Sequence, residues 1–60
     1  MPDAATAAIE EALKQNWKKA IELNRHIIKE NPNDIEALNR LAFALTEMGL
    51  IKEAKQVSLL

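Results

Sequence analysis

The tetrapeptide Asn31-Pro32-Asn33-Asp34 stands at the middle of a chain patterned for helix almost everywhere else. Proline lacks a backbone donor and drives the preceding residue out of helical geometry, so no helix can run through this point. Asn33 or Asp34 is then placed to cap the helix that follows, because a short polar side chain accepts from the first free amides. The chain must fold as helical segments on either side of this break.

On the first side, Ala5, Ala8, Ile9 and Ala12 recur at helical spacing. With Asp3 as a cap, they predict a first helix over about residues 3–14. Gln15-Asn16 interrupts it, since the Asn amide competes for backbone groups. A second helix is expected from Trp17 to Glu30, with Trp17, Ala20, Ile21, Leu23, Ile27 and Ile28 as its apolar stripe. Beyond the break, Leu38, Leu41, Ala42 and Leu45 mark a third helix over Asp34–Met48. Ala37, Phe43, Ala44 and Met48 carry apolar surface further round it. Gly49 is a natural stop. A fourth helix begins near Leu50 and carries Ile51, Ala54, Val57 and Leu60.

Composition limits how these helices stabilise one another. A chain of 60 residues buries only about 60% of its unfolded surface. Ten of the apolar residues are alanine, leaving nineteen larger side chains, and there is no cysteine to cross-link them. Net charge is −1 with both signs mixed in each half, so no basic stripe suits nucleic acid. The longest apolar run, Leu41 to Leu45, is far too short for a membrane span, and the first residues lack a signal-peptide pattern. The expected setting is cytoplasmic.

The two halves repeat. Trp17-Lys18-Lys19-Ala20 returns as Ile51-Lys52-Glu53-Ala54. If one residue is missing from the first turn, Ala5, Ala8, Ile9 and Ala12 fall opposite Leu38, Leu41, Ala42 and Leu45. That gapped register superposes the stripes. A two-helix period of roughly 34 residues is the mark of a solenoid.

Asn16-Trp17-x-x-Ala20-Ile21, Asn31-Pro32-Asn33-Asp34, Ala37-Leu38-x-x-Leu41-Ala42-x-x-Leu45 and Gly49-x-Ile51-x-x-Ala54 together resemble the tetratricopeptide repeat family. The chain reads as one unit, with a full repeat over residues 1–34 and an incomplete second over 35–60. The resemblance implies an all-α fold of antiparallel helical hairpins, about four helices forming a fragment of a right-handed solenoid. Small Ala20 and Ala54 would let helices approach, and Trp17 and Ile51 would plug the hairpin bases. Departures are clear: Gln15-Asn16 lacks the glycine kept at Gly49, and Asn24 and Ser58 stand where a large ring is usual. Leu38 replaces a tryptophan, and the first helix is rich in alanine.

What the family does implies a protein–protein interaction or scaffold module that takes peptides or protein segments on a concave face. Carried onto this chain, that face would show Thr6, Glu10, Leu13 and Lys14, then Glu36, Asn39, Phe43, Thr46 and Glu47. Phe43 stands out because the core stripe does not need it, although it would equally serve by packing on a neighbouring helix. The basic residues some members use to hold a terminal carboxylate are not matched as a set.

Nothing in the chain suggests an enzyme. No Cys or Tyr is present, Thr6 and Thr46 lack a neighbouring base, and Glu10 and Glu11 point to different helix faces. His26, on a charged face with Glu22 and Glu30 each a turn away, reads as a surface residue, and no metal or cofactor is expected.

Fewer than two repeats, with Leu59-Leu60 unrelieved by polar residues, leave apolar surface unburied, since such units usually need three copies. Phe43, Leu50, Val57, Leu59 and Leu60 are the candidates for self-association, as a symmetric homodimer. One version lets helices three and four fuse through Gly49 and swap between chains, since a helical glycine costs only about 1 kcal/mol. The alternative to an interaction module is a purely structural, self-assembling hairpin, natural, engineered or excised from a longer array, with no external ligand.

Overall fold

The computed structural model describes residues 3–58. It holds four helices: α1 (Ala4–Leu13), α2 (Trp17–Glu30), α3 (Ile35–Glu47) and α4 (Ile51–Ser58). Among the described residues there is no strand. The fold is all-α, two helical hairpins in succession.

Local chemistry sets each helix end. Asp3 and Asp34 are the N-caps of α1 and α3, accepting from the backbone N–H of Thr6 at 2.8 Å and of Ala37 at 3.0 Å. The Asn31 Oδ1 accepts from the Asn33 N–H at 3.3 Å, which helps fold the chain around Pro32. At the C-terminus of α1, the Gln15 N–H donates to Ala12 O (2.9 Å) and the Asn16 N–H to Glu11 O (2.9 Å). At the end of α3, the Gly49 N–H donates to Thr46 O (3.0 Å) and the Leu50 N–H to Leu45 O (2.8 Å). Both pairs form a Schellman turn, which requires a left-handed residue just past the helix. Gln15 supplies it at φ 61° and Gly49 at φ 81°.

Every partner in the first turn maps onto its counterpart in the second by the one offset that carries Gln15 onto Gly49, with no gap. This overturns the gapped register. Gln15 itself is the counterpart of Gly49, so the first turn lacks only the glycine and no residue; α1 is shorter at its start. The consequence shows on α1. Ile9, expected in the core stripe, is 43% exposed, while Ala8 is buried. The left-handed Gly49 also keeps α3 and α4 apart, so the fused, swapped helix is not the arrangement adopted. Asn16, the N-cap residue of α2, makes no side-chain cap bond; its Nδ2 donates to Glu11 Oε2 at 2.9 Å.

Each helix packs on the next, and α1 also touches α3, so α1 and α3 share one layer and α2 and α4 the other. Alanines at Ala8, Ala20, Ala37 and Ala44 are buried and let the backbones come close. The larger apolar core lies in the second half, where Leu41, Leu45 and Ala54 meet Ile21, Ile28 and Val57. Asn24 is the exception in the interior, buried where apolar neighbours dominate. Its Nδ2 donates to Ala20 O (2.9 Å) and its Oδ1 accepts from Arg40 Nε (3.0 Å), so both ends of the amide are satisfied.

Candidate functional site

Thr6, Glu10 and Leu13 follow one another at spacings of four and three along α1, with Lys14 as its C-cap, and all four are exposed. Glu36, Asn39, Phe43 and Thr46 run along α3 at the same kind of spacing, with Glu47 beside them, and all five are exposed. Residues three or four apart share a helix face. Because α1 touches α3, the two rows belong to neighbouring helices of one layer. The Thr46 hydroxyl is committed within its own helix, donating to Ala42 O at 2.9 Å.

Phe43 packs edge-on against Trp17, with ring centroids 5.6 Å apart and planes at 67°. That geometry matches the preferred edge-to-face contact of aromatic rings. Phe43 is nonetheless 57% exposed. It is therefore held from behind and open in front. Trp17, at the start of α2, is half-buried where α2 meets α3. Ile51, its counterpart in the second hairpin, is exposed.

Two residues of this surface escaped the sequence reading. Ile9 is the counterpart of Phe43 in the ungapped register and shares a face with Leu13, itself 80% exposed. Aligning Gln15 with Gly49 would have found it. Arg40 is the other, half-buried and anchored on Asn24. Pairing a buried Asn with an Arg sixteen residues away leaves no signal in either helix alone.

Of the self-association candidates, Phe43 and Leu50 are exposed, whereas Val57 is half-buried against the core. Leu59 and Leu60 lie outside the described residues. Met48 and Ile51 add apolar surface beside Leu50. Gly49, Leu50, Ile51, Lys52 and Glu53 line a shallow, open depression of about 220 Å³.

Electrostatics at the site are mild. The Thr6 backbone N–H holds the Asp3 carboxyl below its ordinary value of 3.8, helped by the Thr6 side chain and by the charge of Arg40. Arg25 and Glu53 form a 2.9 Å ion pair between α2 and α4 with both ends in solvent, a contact worth at most about 1 kcal/mol. His26 is exposed, and no group of three His, Asp or Glu side chains converges among the described residues. No helix among them is long and apolar enough to cross a membrane.

The sequence model of a family described as Tetratricopeptide repeat matches residues 23–56. The chain belongs to the tetratricopeptide repeat family. The matched stretch starts inside α2 and ends inside α4, so it includes both Asn24 and Arg40, and Phe43 but not its partner Trp17. No protein with a curated description and no solved structure matches the chain. Tetratricopeptide repeats in general are protein-interaction scaffolds without catalytic machinery.

Proposed function

We propose that this tetratricopeptide chain, read as a full repeat over 1–34 and an incomplete one over 35–60, is a non-catalytic module that captures a peptide or protein segment on the α1–α3 face. The observation that carries the reading is Phe43, pinned by Trp17 and still more than half exposed. An aromatic fixed before binding loses little freedom when a partner covers it, which is how interface anchors are built. Ile9 and Leu13 extend the apolar contact on α1, and Asn39 offers an amide to an extended backbone. Glu10, Glu36 and Glu47 outnumber Lys14 along the same rows, so an apolar segment carrying basic residues suits this face best.

Trp17, the sole tryptophan, reports on the site directly because Phe43 lies against it. Panning a random peptide library should enrich apolar, basic sequences whose binding changes Trp17 fluorescence. Phe43→Ala should weaken that binding at least tenfold with helicity retained. Enrichment unaffected by Phe43→Ala would remove the reading.

A second reading is favoured by the exposure of Met48, Leu50 and Ile51 around the α3–α4 turn. It holds that the chain associates with itself as a homodimer. If Ile51→Lys abolished the dimer and no peptide were captured, self-association alone would be the function.

A further inference from the structure

Charge that is mixed along the chain is sorted across the fold. Each hairpin sends one helix to each layer, so the layer of a side chain follows from its helix. The α1–α3 layer, with its caps, carries Asp3, Glu10, Glu11, Asp34, Glu36 and Glu47 against Lys14 and Arg40, an excess of four negative charges. The α2–α4 layer carries Lys18, Lys19, Arg25, Lys29, Lys52 and Lys55 against Glu22, Glu30 and Glu53, an excess of three positive ones. The net charge of −1 conceals this separation. Both hairpins sort the same way, negative on the first helix and positive on the second.

The two cations of the acidic layer do little to relieve it. Arg40 is half-buried, with its Nε donating to Asn24 Oδ1 at 3.0 Å. Lys14 lies 3.9 Å from Glu11. Glu10, Glu36 and Glu47 are exposed and belong to neither of the ion pairs formed among the described residues. Along α3, Glu47 stands one turn beyond Phe43 and Glu36 two turns before it. Packed helices lie about 8–10 Å apart, and the screening length is about 10 Å at 0.1 M salt. A charged group approaching one layer therefore feels that layer more strongly than the one behind it.

Resting on the capture reading above, we propose that the partner is a multiply cationic segment and that the sorted charge selects it on approach. The acidic layer draws it to the α1–α3 face, and the basic layer turns it away from the α2–α4 face. Attraction of this kind acts mainly on the rate of encounter, which a surface of one sign raises by about tenfold or more. Phe43, Ile9 and Leu13 then supply the short-range apolar contact that holds the segment. An anionic segment of the same apolar content is repelled, so the field also decides against the wrong partner.

The probes are the tightest peptide from the library and a copy with every Lys and Arg replaced by Gln, their association followed by stopped-flow Trp17 fluorescence. At about 0.05 M salt the cationic peptide should associate about tenfold faster than its neutral copy, and the gap should close at about 0.5 M. Two double variants separate placement from net charge, because removing two carboxylates from either layer takes the net charge from −1 to +1. Glu36→Gln/Glu47→Gln should slow association of the cationic peptide about fivefold, whereas Glu22→Gln/Glu30→Gln on the opposite layer should change it less than about twofold. Circular dichroism should show both folded. Equal slowing by the two double variants, or a rate indifferent to salt and to the charge of the peptide, overturns the proposal and leaves capture at Phe43 standing. So does a library enriched only in neutral or acidic peptides. A library that yields no peptide dependent on Phe43 overturns the capture reading and this proposal together.

Discussion

The turn between α1 and α2 and the turn between α3 and α4 make the same backbone hydrogen bonds at equivalent positions, yet different chemistry holds each closed. In the second, glycine takes the left-handed position, and the residues flanking the turn are Leu45 and Leu50. In the first, Gln15 takes that position against its steric preference, and the equivalent pair is Glu11 and Asn16, joined by a 2.9 Å hydrogen bond. One hairpin is closed by apolar burial and the other by a polar bond at the surface. The backbone turn tolerates either, because its own hydrogen bonds are satisfied in both. What differs is how much stability each contributes.

The largest expected difference lies at Leu45 and its counterpart Glu11. Leu45 is fully buried in the main core, so Leu45→Ala should cost about 2–5 kcal/mol, enough to unfold a domain this small. Glu11→Ala should cost less than about 1 kcal/mol, since it removes an exposed hydrogen bond and a 3.9 Å ion pair with Lys14. Urea unfolding followed by Trp17 fluorescence measures both, and equal losses would erase the contrast between the hairpins.

Next in size is the junction between them. Arg40→Ala leaves the buried Asn24 Oδ1 without its donor, which should cost about 1–3 kcal/mol. The double variant Asn24→Leu/Arg40→Ala removes both partners and should recover most of that loss. A double variant no more stable than Arg40→Ala alone would show that Arg40 acts through packing and not through the amide.

Smaller again is the exchange of turn residues. A side chain at Gly49 would meet nothing within 4 Å, so Gly49→Ala carries only the left-handed conformational cost, about 1–2 kcal/mol. Gln15→Gly should stabilise by a similar amount. Melting curves of the two single variants should therefore shift in opposite directions.

The smallest effect is that of acid on α1. The folded-state pKa of Asp3 is depressed below 3.8, so its cap contributes above that value and is lost as pH falls through the lower, folded one. Exchange of the Thr6 amide should quicken in acid, and the difference between wild type and Asp3→Asn should shrink there. A difference that persists would assign the cap to geometry alone.

Much of the fold was legible because the signals are local. Asp3, Pro32, Asp34 and Gly49 each act within a few residues, and the observed helices end within about one residue of where those signals place them. The candidate rows on α1 and α3 were also legible, as exposed positions at helical spacing. The register was not. Matching the apolar stripes suggested a gap, because glutamine at position 15 gives no sign that it adopts a glycine conformation, and that misread Ile9 as core. Asn24 was hidden for a different reason. Within α2 it is a polar residue among apolar ones, and only Arg40 from α3 makes its burial tenable.

By itself, then, the amino-acid order determined where helices start and stop, that they alternate as hairpins, and that the period is the one carrying Trp17 onto Ile51. These follow from hydrogen bonds and steric limits satisfied within one turn of chain. Only the packed molecule decided that Phe43 is braced by Trp17 yet open to solvent, that Asn24 is buried against Arg40, and that Ile51 is left uncovered where Trp17 is not. Each of those depends on which face of one helix meets a helix many residues away. Close packing decides it, and apolar periodicity alone is satisfied by more than one register.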